Sequence, residues 1–116
     1  MMMNPAQIIL TNCPNNDVAQ RLGRLLVEGK LAACVSILAP CRSIYVWQDK
    51  LCEDDEVPLL IKTTAAGYPA VEAMIRQHHP YELPEIVAVD IAQGLPAYLT
   101  WLDAQVCAPS GGNCGD

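Results

Sequence analysis

Residues 31–63 read LAACVSILAPCRSIYVWQDKLCEDDEVPLLIKT, and this stretch carries the strongest indication of the architecture. Its first half is rich in Val, Ile, Tyr and Trp, and the turn Gln48-Asp49-Lys50 separates it from a second extended half, which predicts a hairpin. Pro40 marks a bend or bulge in the first arm. Strands average about five or six residues, yet each arm here has room for more than about ten. Because an uncovered strand edge invites pairing, we expect the hairpin to reach onto neighbouring subunits.

The chain before the hairpin predicts a strand followed by a helix. The apolar run over residues 6–12 is typical of a buried strand. Pro14-Asn15-Asn16 supplies turn and N-cap chemistry, and Gly29 ends the helix. Between them, apolar residues recur at helical spacing: Val18, Leu22, Leu25 and Leu26.

The chain after the hairpin predicts a helix, a strand and a last helix. Pro69 begins the first of these helices, and Glu85 to Ile91 form the strand. Gly94 and Pro96 introduce the last helix. The inner face of the first helix carries Val71, Met74, Ile75 and His78. The full order predicts an α+β, ferredoxin-like βαββαβ sandwich with an extended central hairpin and an extra C-terminal helix.

Length and composition narrow the class of protein. We predict one domain over residues 1–107 and a flexible C-terminal tail over residues 108–116. Charged residues are 17% of the chain, below the usual value of about 25%, which indicates that another subunit covers part of the surface. A net charge of −6 argues against nucleic-acid binding. The sequence shows neither a targeting segment nor a membrane segment, so we expect a cytoplasmic protein.

The six cysteines contain no CxxC pair, which argues against a zinc knuckle or a thioredoxin-type site. We expect reduced, mostly buried thiols that pack as small hydrophobes. Cys107 and Cys114 flank a Pro-Ser-Gly-Gly-Asn segment and are able to pair with each other on oxidation.

Several segments resemble the CutA divalent-cation tolerance proteins, from about Gln7 to Val106. The matching segments are Leu31-Ala32-Ala33-Cys34-Val35, Ser43-Ile44-Tyr45-Val46-Trp47, Leu60-Ile61-Lys62-Thr63, His79-Pro80-Tyr81-Glu82-Leu83-Pro84-Glu85 and Tyr98-Leu99-Thr100-Trp101-Leu102. The resemblance implies a ferredoxin-like, tightly interlocked homotrimer, similar in architecture to the PII nitrogen-regulatory proteins. It also implies a role in divalent-metal tolerance, with copper as an ion bound by some members.

The candidate metal ligands are His78, His79, Cys13 and Glu85. Imidazole and thiolate suit copper, and the negative end of a helix dipole favours a cation beside the two histidines. Family members with a copper site use a cysteine on the first strand with the His-His pair. Here Thr11 occupies that aligned place, and Cys13 lies one strand repeat further on the same face.

Each candidate also has a structural interpretation. His78 continues the inner helical face and is a candidate core histidine, whereas His79 is freer to reach a cleft. Glu85 is able to bind a metal, orient His79, or pair with Lys62. An intersubunit cleft lined by Tyr45, Trp47, Lys62, Tyr81 and Glu85 competes with simple core and interface packing. The acidic run Glu53-Asp54-Asp55-Glu56 is expected to be a solvated patch on the outer hairpin.

The expected function is therefore that of a cytoplasmic homotrimer linked to divalent-metal tolerance, with copper(II) as the implied ion and no enzymatic activity. The first alternative is a PII-like trimer that senses a small ligand and acts through a protein partner that the sequence does not identify. The second is an enzyme acting through His79 and Glu85, for which no substrate is indicated. A Gly-rich phosphate cradle is absent from the sequence.

Overall fold

The computed structural model describes residues 3–107. In chain order its elements are β1 (Ala6–Cys13), α1 (Asn16–Glu28), β2 (Cys34–Ile37), β3 (Cys41–Trp47), β4 (Lys50–Thr64), α2 (Tyr68–His78), β5 (Val87–Asp90) and α3 (Pro96–Gln105). The predicted tail over residues 108–116, and the predicted pairing of Cys107 with Cys114, lie outside the described residues. No helix within residues 3–107 combines the length and the apolar character that crossing a membrane requires.

The sheet is antiparallel and has the order β2-β4-β1-β5, which confirms the predicted ferredoxin-like fold. The strands β1 and β4 lie in its middle and pair along the whole of β1, from Ala6 opposite Thr64 to Cys13 opposite Val57. Pro40 divides the first arm of the hairpin, as predicted: β2 ends at Ile37 and β3 begins at Cys41.

The hairpin extends well beyond the rest of the sheet. The 15 residues of β4 pair with β2 at one end and with β3 at the other. The molecule is consequently elongated, with extents of 50 × 27 × 23 Å. Val46 and Leu51 lie opposite each other near the hairpin tip and are 67% and 72% exposed. Exposed apolar side chains on a long unsupported hairpin are the feature that predicts contact with another subunit.

The helices cover one face of the sheet. The Asn15 side chain accepts a hydrogen bond from the Val18 backbone N–H at 2.9 Å, which caps α1, and Gly29 follows the helix as predicted. The core between helices and sheet contains Ile9, Cys13, Ala19, Leu22, Leu26, Ala32, Val57, Leu59, Ile61, Val71 and Ile75. Since side chains alternate along a strand, the neighbouring residues of β1 and β4 point to the opposite face.

That opposite face, which we call the open sheet face, is defined by Ile8, Leu10, Leu60, Val87 and Val89. Ile8 lies opposite Val89, and Leu10 lies between Val87 and Leu60. Val87 and Val89 are 45% and 50% exposed. An apolar sheet face without a covering layer of helices is a second surface suited to subunit contact.

Candidate functional site

A cleft of about 800 Å³ lies between the hairpin, the end of β1 and the loop after α2, and its lining reaches Trp47 beside the hairpin turn. We call it the hairpin cleft. It is lined by Asn12, Pro14, Ser43, Ile44, Tyr45, Trp47, Asp54, Asp55, Glu56, Tyr81, Glu82, Leu83 and Glu85. Five of these side chains are carboxylates and none is Lys, Arg or His. The cleft therefore combines a strongly negative charge with aromatic walls.

The strand register explains why these groups converge. Ser43 lies opposite Asp54, and Tyr45 lies opposite Cys52. Directly opposed residues of an antiparallel pair share a face, so Ser43 and Tyr45 point the same way as Asp54 and Glu56. Asp54 and Glu56 therefore share a face with Tyr45, and Asp55 also lines the cleft, so that Glu53 is the one carboxylate of the run outside the lining.

Two tyrosine hydroxyls donate to two of these carboxylates. Tyr45 Oη donates to Asp54 Oδ2, and this bond is the main reason that the pKa of Tyr45 rises to about 12. The pKa of Tyr81 is also raised, first by burial and then by its hydrogen bond to Glu56. Both phenols consequently stay protonated at neutral pH and act as hydrogen-bond donors. Such donors stabilise the ionised form of a carboxylate.

His79 joins the loop after α2 to the end of β1. Its Nε2 lies 2.6 Å from the backbone oxygen of Asn12, and its Nδ1 accepts from the Tyr81 N–H at 3.1 Å. Because a backbone N–H is always a donor, Nδ1 must be the unprotonated nitrogen, and Nε2–H donates to Asn12. The rings of His79 and Tyr81 also contact each other, with centroids 4.6 Å apart. Both ring nitrogens of this neutral histidine are therefore engaged.

The two histidines lie in surroundings that reverse the sequence-based expectation, which placed His78 toward the core and His79 toward a cleft. His79 is only 7% exposed, whereas His78 is half-buried at the end of α2. The backbone oxygen of His78 accepts from Arg21 at 3.4 Å, and its imidazole makes no hydrogen bond within the described chain. Pro80 explains the reversal: it directs His79 into an extended backbone (φ −83°, ψ 135°) that turns the ring onto β1.

Glu85 reaches the same corner through Asn12. The Asn12 side-chain amide donates to Glu85 Oε1 at 3.1 Å. An ion pair between Glu85 and Lys62, one of the sequence-based alternatives, is not formed in the described chain, where the single ion pair joins Arg42 and Asp55 at 4.0 Å. Asn12 thus holds His79 with its backbone and Glu85 with its side chain.

Cys13 is fully buried beside this corner. It points into the core on the same face as Thr11, as the one-repeat spacing predicts. Burial, and secondarily the charge of Glu56, raise the pKa of its thiol from 9.0 to about 11. Cys13 is therefore a protonated thiol at neutral pH rather than a thiolate.

The four predicted ligands do not fit a directly bound copper ion as they are arranged. His79 has no free nitrogen lone pair, and Cys13 has no thiolate. Within residues 3–107, no three His, Cys, Asp or Glu side chains converge closely enough to hold a metal. The structure brings Cys13, His79 and Glu85 to one corner but leaves the imidazole of His78 outside their hydrogen-bond network.

The sequence-based cleft set contains four of the thirteen lining residues but only one of the five lining carboxylates, Glu85. Tyr45, Trp47, Tyr81 and Glu85 line this cleft within one chain, whereas Lys62 does not; an intersubunit cleft stays a prediction. The acidic run was expected to be solvated throughout, and for Glu56 this is wrong, because it is 7% exposed. The available signal was its position: Glu56 is the last acidic residue before the apolar stretch that continues β4 into the sheet.

The family model described as "CutA1 divalent ion tolerance protein" matches residues 7–105. This chain belongs to that family. A divalent-cation tolerance protein CutA from Thermus thermophilus is 44% identical over 96 residues, which cover 83% of this chain and 93% of that protein. A CutA homologue from Xenopus laevis is 48% identical over 90 residues; the match covers 78% of this chain but only 60% of the longer Xenopus protein.

Solved structures of CutA proteins share the fold. The CutA1 structure from Oryza sativa superposes with a TM-score of 0.88 at 32% identity, covering 90% of this chain and 96% of that one. A structure described as a PII-like protein CutA, from Nostoc, superposes with a TM-score of 0.81 at 35% identity, covering 88% and 98%. The family assignment therefore rests on both sequence and fold.

Proposed function

We propose that this CutA protein is a non-enzymatic, cytoplasmic homotrimer that contributes to divalent-metal tolerance by binding divalent cations in the hairpin cleft. The observation that carries the proposal is the charge of that cleft, where five carboxylates face one another without a basic lining residue. A concave site of one charge sign concentrates counter-ions. Relatives whose names refer to divalent-cation tolerance support the metal as the relevant cation.

The cations in this proposal are held electrostatically and keep part of their water shell. Carboxylates spread over the cleft attract a hydrated divalent ion without supplying the closed set of ligands that direct coordination needs. Copper(II) bound directly by Cys13, His78, His79 and Glu85 stays a separate prediction. It requires His79 to release Asn12 or Tyr81, and it requires Cys13 to lose its proton.

Two surfaces support the homotrimer. The hairpin exposes Ile44, Val46 and Leu51, and the open sheet face exposes Val87 and Val89. Both surfaces are apolar, and neither is covered within the described chain. Packing them against further copies of the chain would remove apolar area from water and so stabilise the assembly. Two separate surfaces allow each subunit to contact two neighbours, which is what a closed ring of three requires.

The described cysteines do not carry the cytoplasmic part of the proposal, which stays a prediction from the sequence. Cys13, Cys34, Cys41 and Cys52 are free thiols, but Cys107 is disulfide-bonded, and of the four free thiols only Cys13 is buried, so the expectation of mostly buried thiols is wrong for them. The non-enzymatic part rests on Cys13 and His79. General-base chemistry at His79 needs a free nitrogen, and nucleophilic attack by Cys13 needs an exposed thiolate. The described arrangement favours neither, which supports a binding protein rather than an enzyme.

The two tryptophans provide matched reporters for the test. Trp47 lines the cleft, and Trp101 lies on α3 outside the lining. Paramagnetic copper(II) should quench the fluorescence of a Trp101→Phe variant, in which Trp47 is the single tryptophan. The same titration should leave a Trp47→Phe variant much less affected. Equal quenching of both variants would count against binding in the cleft.

A histidine comparison tests the direct copper prediction in the same assay. If the four predicted ligands hold the ion, a Trp101→Phe variant that also carries His78→Ala and His79→Ala will lose the quenching. If the cleft carboxylates hold it, the quenching survives in that variant and falls on adding Asp54→Asn.

PII-like sensing of a small ligand is the second candidate function. A cleft of about 800 Å³ with aromatic walls is within the usual size range of small-molecule sites, and one structural relative is described as PII-like. We infer that a sensor of this kind would also need a protein partner. Thermal shifts with a metabolite panel in the presence of a chelator would separate this function from metal binding, because only the sensor responds without metal.

A further inference from the structure

We propose that the hairpin cleft is a binding site for a linear organic polycation, a diamine or polyamine, with its ammonium groups on separate carboxylates and its methylene chain along the aromatic wall. This inference deepens the proposed function, since it names a ligand class for the same cleft. It rests on three independent features of the lining: the aromatic rings, the spacing of the carboxylates and the absence of basic side chains among the lining residues.

The aromatic wall is the feature that points to an organic cation. Tyr45, Trp47 and Tyr81 all line the cleft. The faces of Trp and Tyr rings attract ammonium groups, and their apolar bodies pack against methylene groups. A hydrated metal ion gains nothing from a methylene-binding surface. Both tyrosine hydroxyls are held by carboxylates, which limits the rotation of the rings.

The carboxylates are too dispersed to coordinate one metal ion directly, and their separation suits several ammonium groups. Asp54 lies on the hairpin wall, Glu82 on the loop after α2, and Glu56 at the buried end of the cleft. Within residues 3–107 no three such groups converge on one point. A ligand whose charges are separated along a chain can reach them individually, because each ammonium group needs only one carboxylate partner.

Glu56 marks the inner end of the site. It is 7% exposed and accepts a hydrogen bond from the neutral hydroxyl of Tyr81, but no ion pair reaches it within the described chain. A buried carboxylate without a cationic partner is costly, and a ligand ammonium group would relieve that cost. The single described ion pair of the lining, between Arg42 and Asp55, is exposed and leaves the other four carboxylates uncompensated.

The charge of the lining argues against anionic ligands. A nucleotide or other phosphate ligand would face five carboxylates and no Lys, Arg or His in the lining. Like-charge contact of that kind costs binding free energy. The cleft volume of about 800 Å³ leaves room for a flexible chain of more than one charge.

The test is isothermal titration of the reduced, assembled protein with spermidine in the presence of a chelator. We expect saturable binding that weakens as salt is raised from roughly 20 to 150 mM, because the contacts are partly electrostatic. Asp54→Asn should weaken binding at least about threefold, as should Glu82→Gln on the exposed loop. The matched control is Glu53→Gln, which removes a carboxylate one residue away at a position of β4 that does not line the cleft; its effect should stay below about twofold.

A second pair of variants tests the aromatic wall. Trp47→Phe keeps a ring in the cleft and should bind within about twofold of the original protein. Trp47→Leu removes the ring and should weaken binding at least about threefold. Equal affinities for the Phe and Leu variants, or equal effects of Asp54→Asn and Glu53→Gln, would overturn the proposal, as would the absence of any binding by spermidine.

Copper(II) quenching and subunit mass, measured on the same preparation, separate this proposal from the proposed function. A trimer that responds to copper(II) and ignores spermidine overturns the polycation site alone. A protein that binds spermidine through Asp54 and Trp47 but ignores copper(II) supports the polycation site and contradicts the metal function.

Discussion

Replacing His79 is the sharpest perturbation of the corner between β1 and the hairpin cleft. His79→Ala removes the ring that donates to the Asn12 backbone oxygen and accepts from the Tyr81 N–H. It also removes the contact of that ring with the Tyr81 side chain. Each hydrogen bond contributes about 1 kcal/mol, and stranding its partner adds to the loss. Because Asn12 and Tyr81 are half-buried, water can replace part of what is lost. We expect a loss of about 2–3 kcal/mol in the free energy of unfolding.

His78→Ala is the matched control, because it removes the same side chain one residue earlier. The imidazole of His78 makes no hydrogen bond within the described chain, and the backbone oxygen that accepts from Arg21 is kept. The variant should lie within about 0.5 kcal/mol of the original protein. Denaturant unfolding followed by circular dichroism measures both, at one fixed protein concentration because subunit association makes stability depend on concentration.

Two results would refute the reasoning about His79. Equal losses of unfolding free energy in His78→Ala and His79→Ala would show that the location of a side chain at the end of α2, rather than its hydrogen bonds, determines the loss. A loss at His79 that appears only when copper(II) is present would show that the ring is a metal ligand rather than a structural link. The comparison should therefore be made with a chelator and then with copper(II).

Three further predictions concern the cap of α1, the buried thiol and the hairpin. Asn15→Ala should cost about 1 kcal/mol of unfolding free energy, because the Val18 N–H loses its acceptor; an unchanged denaturation midpoint would contradict this. As pH rises from about 9 to about 11, the free energy of unfolding should fall, because the Cys13 thiol ionises at lower pH in the unfolded chain than in the folded one. A Cys13→Ala variant should show a smaller fall over the same pH range. Parallel pH profiles for the two proteins would contradict this prediction. Replacing Val46 and Leu51 with Ala should weaken the trimer, because these exposed side chains of the hairpin lose apolar area that a neighbouring subunit would bury; a variant that stays trimeric at nanomolar concentration in native mass spectrometry would argue against a subunit contact there.

The fold was predictable because local signals and the overall pattern agree. The Asn15 cap, Gly29 and the apolar spacing between them specify α1, and each depends only on neighbouring residues. Pro40 likewise lies between β2 and β3, where its missing backbone N–H favours a break in the ladder. Such features are readable from sequence since their physical cause is local.

The site was less predictable because its chemistry depends on contacts distant in sequence. His79 was placed toward a cleft and His78 toward the core; Pro80 favours the extended backbone of His79 locally, but the Asn12 oxygen that the His79 ring contacts lies 67 residues away. The hydrogen bond between Tyr81 and Glu56 likewise joins two groups that are distant in sequence. Hydrophobic periodicity does not reveal where a long-range partner lies.

The most direct test of the account is native mass spectrometry of the reduced protein, titrated with copper(II) at a series of protein concentrations. We predict a mass of three subunits that persists on dilution and gains metal as copper(II) is added, with less metal bound by an Asp54→Asn variant than by Glu53→Gln. A single-subunit mass, or a trimer whose mass copper(II) leaves unchanged, would contradict the proposed function.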